Sequence, residues 1–219
     1  MVNVSTIVRQ ILEKRPIIQA ALIQNIINYA NLAENLKPSI EKNLGEEVKE
    51  TAIIMALRRY QEKLSQKEHI DPKFEFYSEI ILKSGLCDVA FVKSPSLLKS
   101  LRKIYELVDF DKGDTLNIIQ GNYEINIVMS EKYLKDTLDL LSDEKKLNVD
   151  KNLVSLAMGF SKDFFYTPGI LAKATRKLHW HNINVYENIS TLTELIFIVN
   201  KKDATRAYNA LMEIVDCND

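Results

Sequence analysis

Three stretches decide the fold: Leu153-Val154-Ser155-Leu156-Ala157-Met158-Gly159, Thr167-Pro168-Gly169-Ile170-Leu171-Ala172-Lys173, and His181-Asn182-Ile183-Asn184-Val185. The first is an apolar run of strand length; the second places proline where a helix opens; the third leads through a turn into a strand over 184–189. Downstream, Glu194 to Val199 reads as a further strand and Asp203 to Val215 as a helix. The same order precedes it. Leu86 to Val92 is a strand, a helix opens at Pro95, Thr115 to Ile119 and Glu124 to Met129 flank a hairpin turn at 120–123, and Glu131 to Leu141 is a helix. Strand, helix, strand, strand, helix thus occurs twice at a spacing of roughly 70 residues. That order predicts an α+β protein with two ferredoxin-like βαββαβ units, helices on one face of each antiparallel sheet.

The second unit has no room for its last strand after Val215, while a spare strand, Phe74 to Lys83, stands ahead of Ser84-Gly85, which reads as a turn. Two placements remain open for it. It completes the second sheet, or it is the β-wing of the domain before it.

Residues 1–72 read as helix. Ser5 or Thr6 caps a first helix carrying Ile7, Val8, Ile11 and Leu12, and Pro16 opens a second with Ile18, Ala21, Leu22 and Ile26 on its inner face. A short helix over 29–36 is expected to end before Lys37-Pro38, because the residue ahead of proline disfavours the helical region. A longer one over 46–64 repeats Val48, Ala52, Ile53, Ala56, Leu57 and Tyr60 at helical steps. The boundaries are therefore 1–72 helical, 73–150 first module and 151–219 second module.

The three opening stretches, in that order, resemble the regulatory ACT domains of aspartokinases. The likeness covers 153–216 by motif and 86–150 by pattern, with Ser94-Pro95-Ser96-Leu97 at the equivalent helix start. It departs in a bulkier Ser161 to Tyr166, and no kinase domain precedes the modules. The N-terminal segment is similar to archaeal proteins that place a winged-helix-like domain ahead of ACT modules, through Asn28-Tyr29-Ala30-Asn31-Leu32-Ala33 and Met55-Ala56-Leu57-Arg58-Arg59-Tyr60. The resemblance implies a non-catalytic, homodimeric amino-acid sensor. By position it implies that Asp163 holds a ligand ammonium, that the amides of Gly169 and Ile170 beside Thr167 and Pro168 hold its carboxylate, and that Asn182 or Asn184 adds side-chain hydrogen bonds. The helix opening has a physical warrant for the carboxylate, since it exposes unpaired amides. The plainer alternative is that Pro168-Gly169 begins a helix and the asparagines form a turn.

The signal would pass to residues 1–72, acting on DNA or docking on a partner such as an enzyme of amino-acid biosynthesis. Arg58, Arg59 and Lys63 are the local basic group a DNA contact needs, but Glu46, Glu47 and Glu50 lie upstream and acids nearly balance bases. The alternative is a helical dimerisation or docking domain.

The composition, 46% hydrophobic and 27% charged with net charge -1, fits a globular chain with no bulk field for nucleic acid or membrane. Cys87 and Cys217 are far apart, a pattern of a reducing, cytoplasmic compartment; no secretory signal or membrane span is read. No Gly-x-Ser-x-Gly, no phosphate-cradling loop and only six glycines occur, so an enzyme is not expected and no cofactor is implied. His179 and His181 lie at a helix end with rings pointing apart, so no metal is expected; His69 reads as a linker residue, and Glu46-Glu47 and Asp143-Glu144 as solvated faces.

Overall fold

The computed structural model describes residues 3–65, 76–161, 166 and 168–216. The chain divides into two compact units, 1–71 and 72–219.

Among its described residues the first unit is a packet of four helices: α1 (Val4–Glu13), α2 (Pro16–Ile23), α3 (Tyr29–Leu44) and α4 (Glu50–Ser65). The cap of α1 is Asn3, two or three residues earlier than the expected Ser5 or Thr6, and its side chain accepts from the Thr6 amide at 2.9 Å. The helix expected to stop before Pro38 instead runs on to Leu44. Pro38 sits on the exposed side, where the carbonyl it leaves unbonded meets water, while Ala33, Leu36 and Ile40 are buried on the other side and hold the helix through. Helix α4 starts at Glu50 rather than Glu46. Ile7, Val8, Leu12, Leu22, Leu36, Ile40, Ile53 and Leu57 close the core, whereas Ile26, expected inside, is 70% exposed. Gln61 ties the bend between α2 and α3 to α4: its amide donates to the Leu22 carbonyl at 2.9 Å and to Asn25 Oδ1 at 2.6 Å, and it accepts from the Tyr29 hydroxyl.

The second unit is built on one antiparallel sheet of six strands: β1 (Phe76–Val92), β2 (Leu116–Gln120), β3 (Glu124–Ser130), β4 (Lys146–Phe160), β5 (Val185–Ser190) and β6 (Glu194–Asn200), in the order β2-β3-β1-β4-β6-β5. Four helices complete it, α5 (Pro95–Leu107), α6 (Leu134–Leu140), α7 (Ile170–Trp180) and α8 (Ala204–Asp216).

Ser84-Gly85 is not a turn. Ser84 faces Val154 and Leu86 faces Leu153, so Gly85, at φ 73°, is an unpaired bulge inside one long strand. A bulge and a turn demand the same left-handed glycine, which is why local sequence does not separate them. On β4 the matching irregularity is Asn152, at φ 55°. Because the leading part of β1 pairs with the end of β4, it lies in the sheet and is no wing of the helical unit.

Two half-sheets follow from those bulges. In one, the order is β2, β3, the end of β1, the start of β4; in the other it is β5, β6, the end of β4, the start of β1. The strands β3 and β6 are offset by 70 residues at both ends. Cys87, Val89, Phe91, Ile125, Ile127 and Met129 pack under α5 and α6, while Val154, Leu156, Met158, Phe160, Leu195, Phe197 and Val199 pack under α7 and α8. Alternate residues face away. There Leu86 and Val128 of one half-sheet meet Leu153 and Ile198 of the other in a separate buried cluster. Asn126 on β3 donates to Glu187 on β5 although three strands lie between them in the sheet order. The sheet therefore curls over its helix-free side, and the half-sheets close on each other along a seam.

Candidate functional site

The tip of α7 is the predicted ligand place. Gly169 caps the helix at φ 104°, a left-handed conformation open to glycine, with no side-chain hydrogen bond to the first-turn amides. Pro168 and Gly169 are exposed and Ile170 is buried in the core of that half-sheet. The corresponding tip in the first half differs. Ser94 caps α5 by accepting from the Leu97 amide at 2.9 Å and donates to Glu144 Oε2 at 2.7 Å. One tip thus fills its own acceptor position from within, while at the other no described side chain does so. Asp163 and Thr167 lie outside the described residues.

Asn182 and Asn184 are not brought to this tip. They follow the far end of α7, which at 11 residues and about 1.5 Å per residue is about 16 Å long. Asn182 sits at φ 53° and its amide donates to the His179 carbonyl at 2.8 Å. It is a turn residue, chosen because asparagine tolerates the left-handed region. Around it lie Asn184, Lys202, Arg206 and Asp203, the last 4% exposed and paired with Arg206.

Arg58, Arg59 and Lys63 are exposed on α4, with Arg58 stacked 5.7 Å from the Tyr29 ring centre. Arg59 and Lys63 are one turn apart, with Glu62 beside them, so that face has mixed charge. No helix among the described residues is long and apolar enough to cross a membrane, and no group of three metal-ligating side chains occurs among them.

Two features of the seam were not read from sequence. A cleft of about 320 Å³ opens between the half-sheets, with Ile81, Leu116, Ala157 and Ile196 as apolar wall and Lys83, Thr115, Asn117, Ser155 and Glu194 as polar lining. Lys83 bridges across it, donating to the Gly113 carbonyl at 2.8 Å. The other is a buried acidic contact. Asn126 donates to Glu187 and, at 3.5 Å, to Asp88 Oδ2; Asp88 is 7% exposed and its Oδ1 has no hydrogen-bond partner. Burial first, then the nearby Glu187 and Asp150 carboxylates, push Asp88 up to about 6, and burial likewise raises Glu187. Strand pairing relates these two features. Val128 stands between Asn117 of the cleft and Asp88; Ile198 stands between Ser155 of the cleft and Glu187. Such a relation needs the strand register and the curl, which no local pattern carries.

Neither a family model nor a curated protein sequence matches the chain. Among solved structures, the ligand-free regulatory subunit of aspartate kinase from Thermus thermophilus matches with TM-score 0.53 and 11% identity, over 65% of this chain and 99% of that one. A structure of aspartokinase alpha and beta subunits matches with TM-score 0.52 and 16% identity, over 63% of this chain and 97% of that one. The aspartate kinase of Clostridium acetobutylicum matches with TM-score 0.54 and 16% identity, over 67% of this chain but 36% of that enzyme. At these identities the likeness establishes a shared fold: an α+β, six-stranded antiparallel arrangement like that of aspartate kinase regulatory subunits.

Proposed function

We propose that this chain is a non-catalytic regulatory protein in which two ACT-type modules, the second completed by the leading part of β1, sense an amino acid and pass its occupancy to the helical unit. What carries the reading is size and order together. About two thirds of this chain matches nearly the whole length of the regulatory subunit of aspartate kinase from Thermus thermophilus, which supports reading it as a regulator. Fold alone does not assign a ligand. The chemistry comes from the tip of α7, where the first turn after Gly169 has no side-chain cap among the described residues and offers a carboxylate seat that the equivalent tip at Ser94 has closed with its own hydroxyl. Asp163 and Thr167 flank that seat in sequence, and Asp163 supplies the charge an ammonium needs. Asn182 and Asn184 belong to this seat only if a second copy of the chain presents them.

A dimer is the expected assembly. The sheet ends in β2 and β5, whose outer backbone groups are open to pairing with another copy. Calorimetric titration with each of the twenty amino acids tests the reading: one should bind, and Gly169→Val, which forces a β-branched residue to φ 104°, should weaken that binding at least tenfold. Silence from all twenty sinks it. A second reading, a detached subunit docking on an amino-acid biosynthetic enzyme through residues 1–72, is favoured by the mixed charge around Arg59, Glu62 and Lys63. DNA binding through Arg58, Arg59 and Lys63 predicts an affinity that falls steeply with salt and weakens further when these are neutralised; enzyme docking predicts recovery of a partner enzyme on the tagged chain.

A further inference from the structure

We propose that Asp88, Asn126 and Glu187 form a proton-operated clasp across the seam, closed while Asp88 carries a proton and loosened when both carboxyls ionise.

The geometry carries it. Three strands that are not all neighbours, β1, β3 and β5, send these side chains to one point, where Asp88 is buried and Asn126 and Glu187 are half-buried, and the contact between Asn126 and Glu187 joins one half-sheet to the other. Asn126 has a single amide nitrogen for two carboxyl groups. It serves Glu187 and reaches Asp88 Oδ2 only at 3.5 Å; the Val89 amide and Asn126 favour the charged carboxylate, but they do not outweigh its burial, and Oδ1 has no partner at hydrogen-bond geometry. An unpaired acceptor at 7% exposure is costly, and a second carboxylate beside it adds repulsion.

The groups facing the point from the packed elements are all acids or amides. From β4 comes Asp150, whose Oδ2 is held by the Asn148 amide at 2.7 Å; from β3 comes Glu124, acting on Glu187; the groups acting electrostatically on Asp88 are Glu187 and Asp150. A proton on Asp88 removes its charge, and with it both the repulsion and the cost of a buried ionised acceptor. The raised affinity of Asp88 for a proton, to about 6, puts the change near neutrality.

The half-sheet repeat shows that the clasp is local. Glu187 is offset by 70 residues from Asn117, and each pairs with the matching residue of its neighbour, Ile198 and Val128. Asn117 and Ser155 line the open cleft, whereas Glu187 and Asp88, which hold the matching register positions, are bridged by Asn126.

The test is amide hydrogen exchange of the full-length chain between pH 5 and pH 8.5, corrected for intrinsic rates. Protection over 124–130 and 185–190 should fall at least fivefold across that range in the wild type. It should stay level in Asp88→Asn and in Glu187→Gln, each of which removes one ionisation while keeping the shape. Protection independent of pH in the wild type, or variants that retain its full pH dependence, would overturn the clasp. Should one variant fail to fold, the Asp88 carboxyl carbon shift in the wild type decides: a midpoint well above ordinary aspartate supports it, and a midpoint near 4 rejects it.

Discussion

Asp88 and Gln61 show how far single polar side chains set this structure. Asp88 ionises ordinarily near 3.8 and in the folded chain at about 6. Between these values the folded state holds a proton that the unfolded state has released, so the contribution of Asp88 to stability is fully present below about 4 and is lost as pH rises through about 6. Asp88→Asn should remove that decline, so the variant should be the more stable of the two at pH 8 and lose its advantage near pH 4; urea midpoints at both values check it. Gln61 is the opposite case, a polar group with its partners supplied. Its bonds to Leu22, Asn25 and Tyr29 hold the bend between α2 and α3. Replacing it by Ala removes three part-buried or exposed bonds while the Leu22 carbonyl keeps the Asn25 backbone amide, and should cost about 0.5–1.5 kcal/mol in denaturant unfolding. Neither role is visible in sequence, where Asp88 reads as a polar interruption of an apolar strand and Gln61 as one surface residue of a helix.

Elements were legible where periodicity spoke, and obscure where one residue type serves two purposes. The strands over 116–120, 124–130, 185–190 and 194–200 lie within a residue of their expected places because each is a short β-branched, apolar-rich run bounded by turn residues. The bulges were not legible. Gly85 and Asn152 keep β1 and β4 unbroken while switching which face each side chain meets, so that Leu86 and Leu153 point into the seam and Cys87 and Val154 under the helices. Nothing lies within 4 Å of a Cβ placed on Gly85. A larger residue there meets no neighbour and suffers only from its left-handed backbone. Gly85→Ala should then cost about 1–2 kcal/mol without changing the fold, and Gly85→Asn should cost less because asparagine tolerates that region. Thermal unfolding of the two variants, ranked against wild type, checks the order. Helix α3 is the converse failure: a local rule about proline lost to the burial of Leu36 and Ile40.

At the scale of the molecule, each core closes within its own unit. Ile7 to Leu57 fill one, and no residue of that cluster is shared with those between Ile80 and Ile214. Two closed cores imply that damage to one is felt first in that one. Leu57→Ala removes a fully buried side chain from the helical core and Phe197→Ala one from beneath α7 and α8. Such deletions cost about 2–5 kcal/mol for leucine and about 3–5 kcal/mol for phenylalanine. Calorimetry of the full chain should therefore show Leu57→Ala lowering the transition that carries helical signal and Phe197→Ala lowering the one that carries the sheet, each by several degrees. An amino-acid effector bound at the tip of α7 adds to the stability of the state that holds it, so it should raise the sheet transition in both variants. If occupancy is passed to the helical unit, the helical transition must move as well, because a ligand that shifts one unit through the other needs a coupling free energy between them. A sheet transition that rises with ligand while the helical transition stays fixed would leave the sensor intact and end its link to residues 1–72.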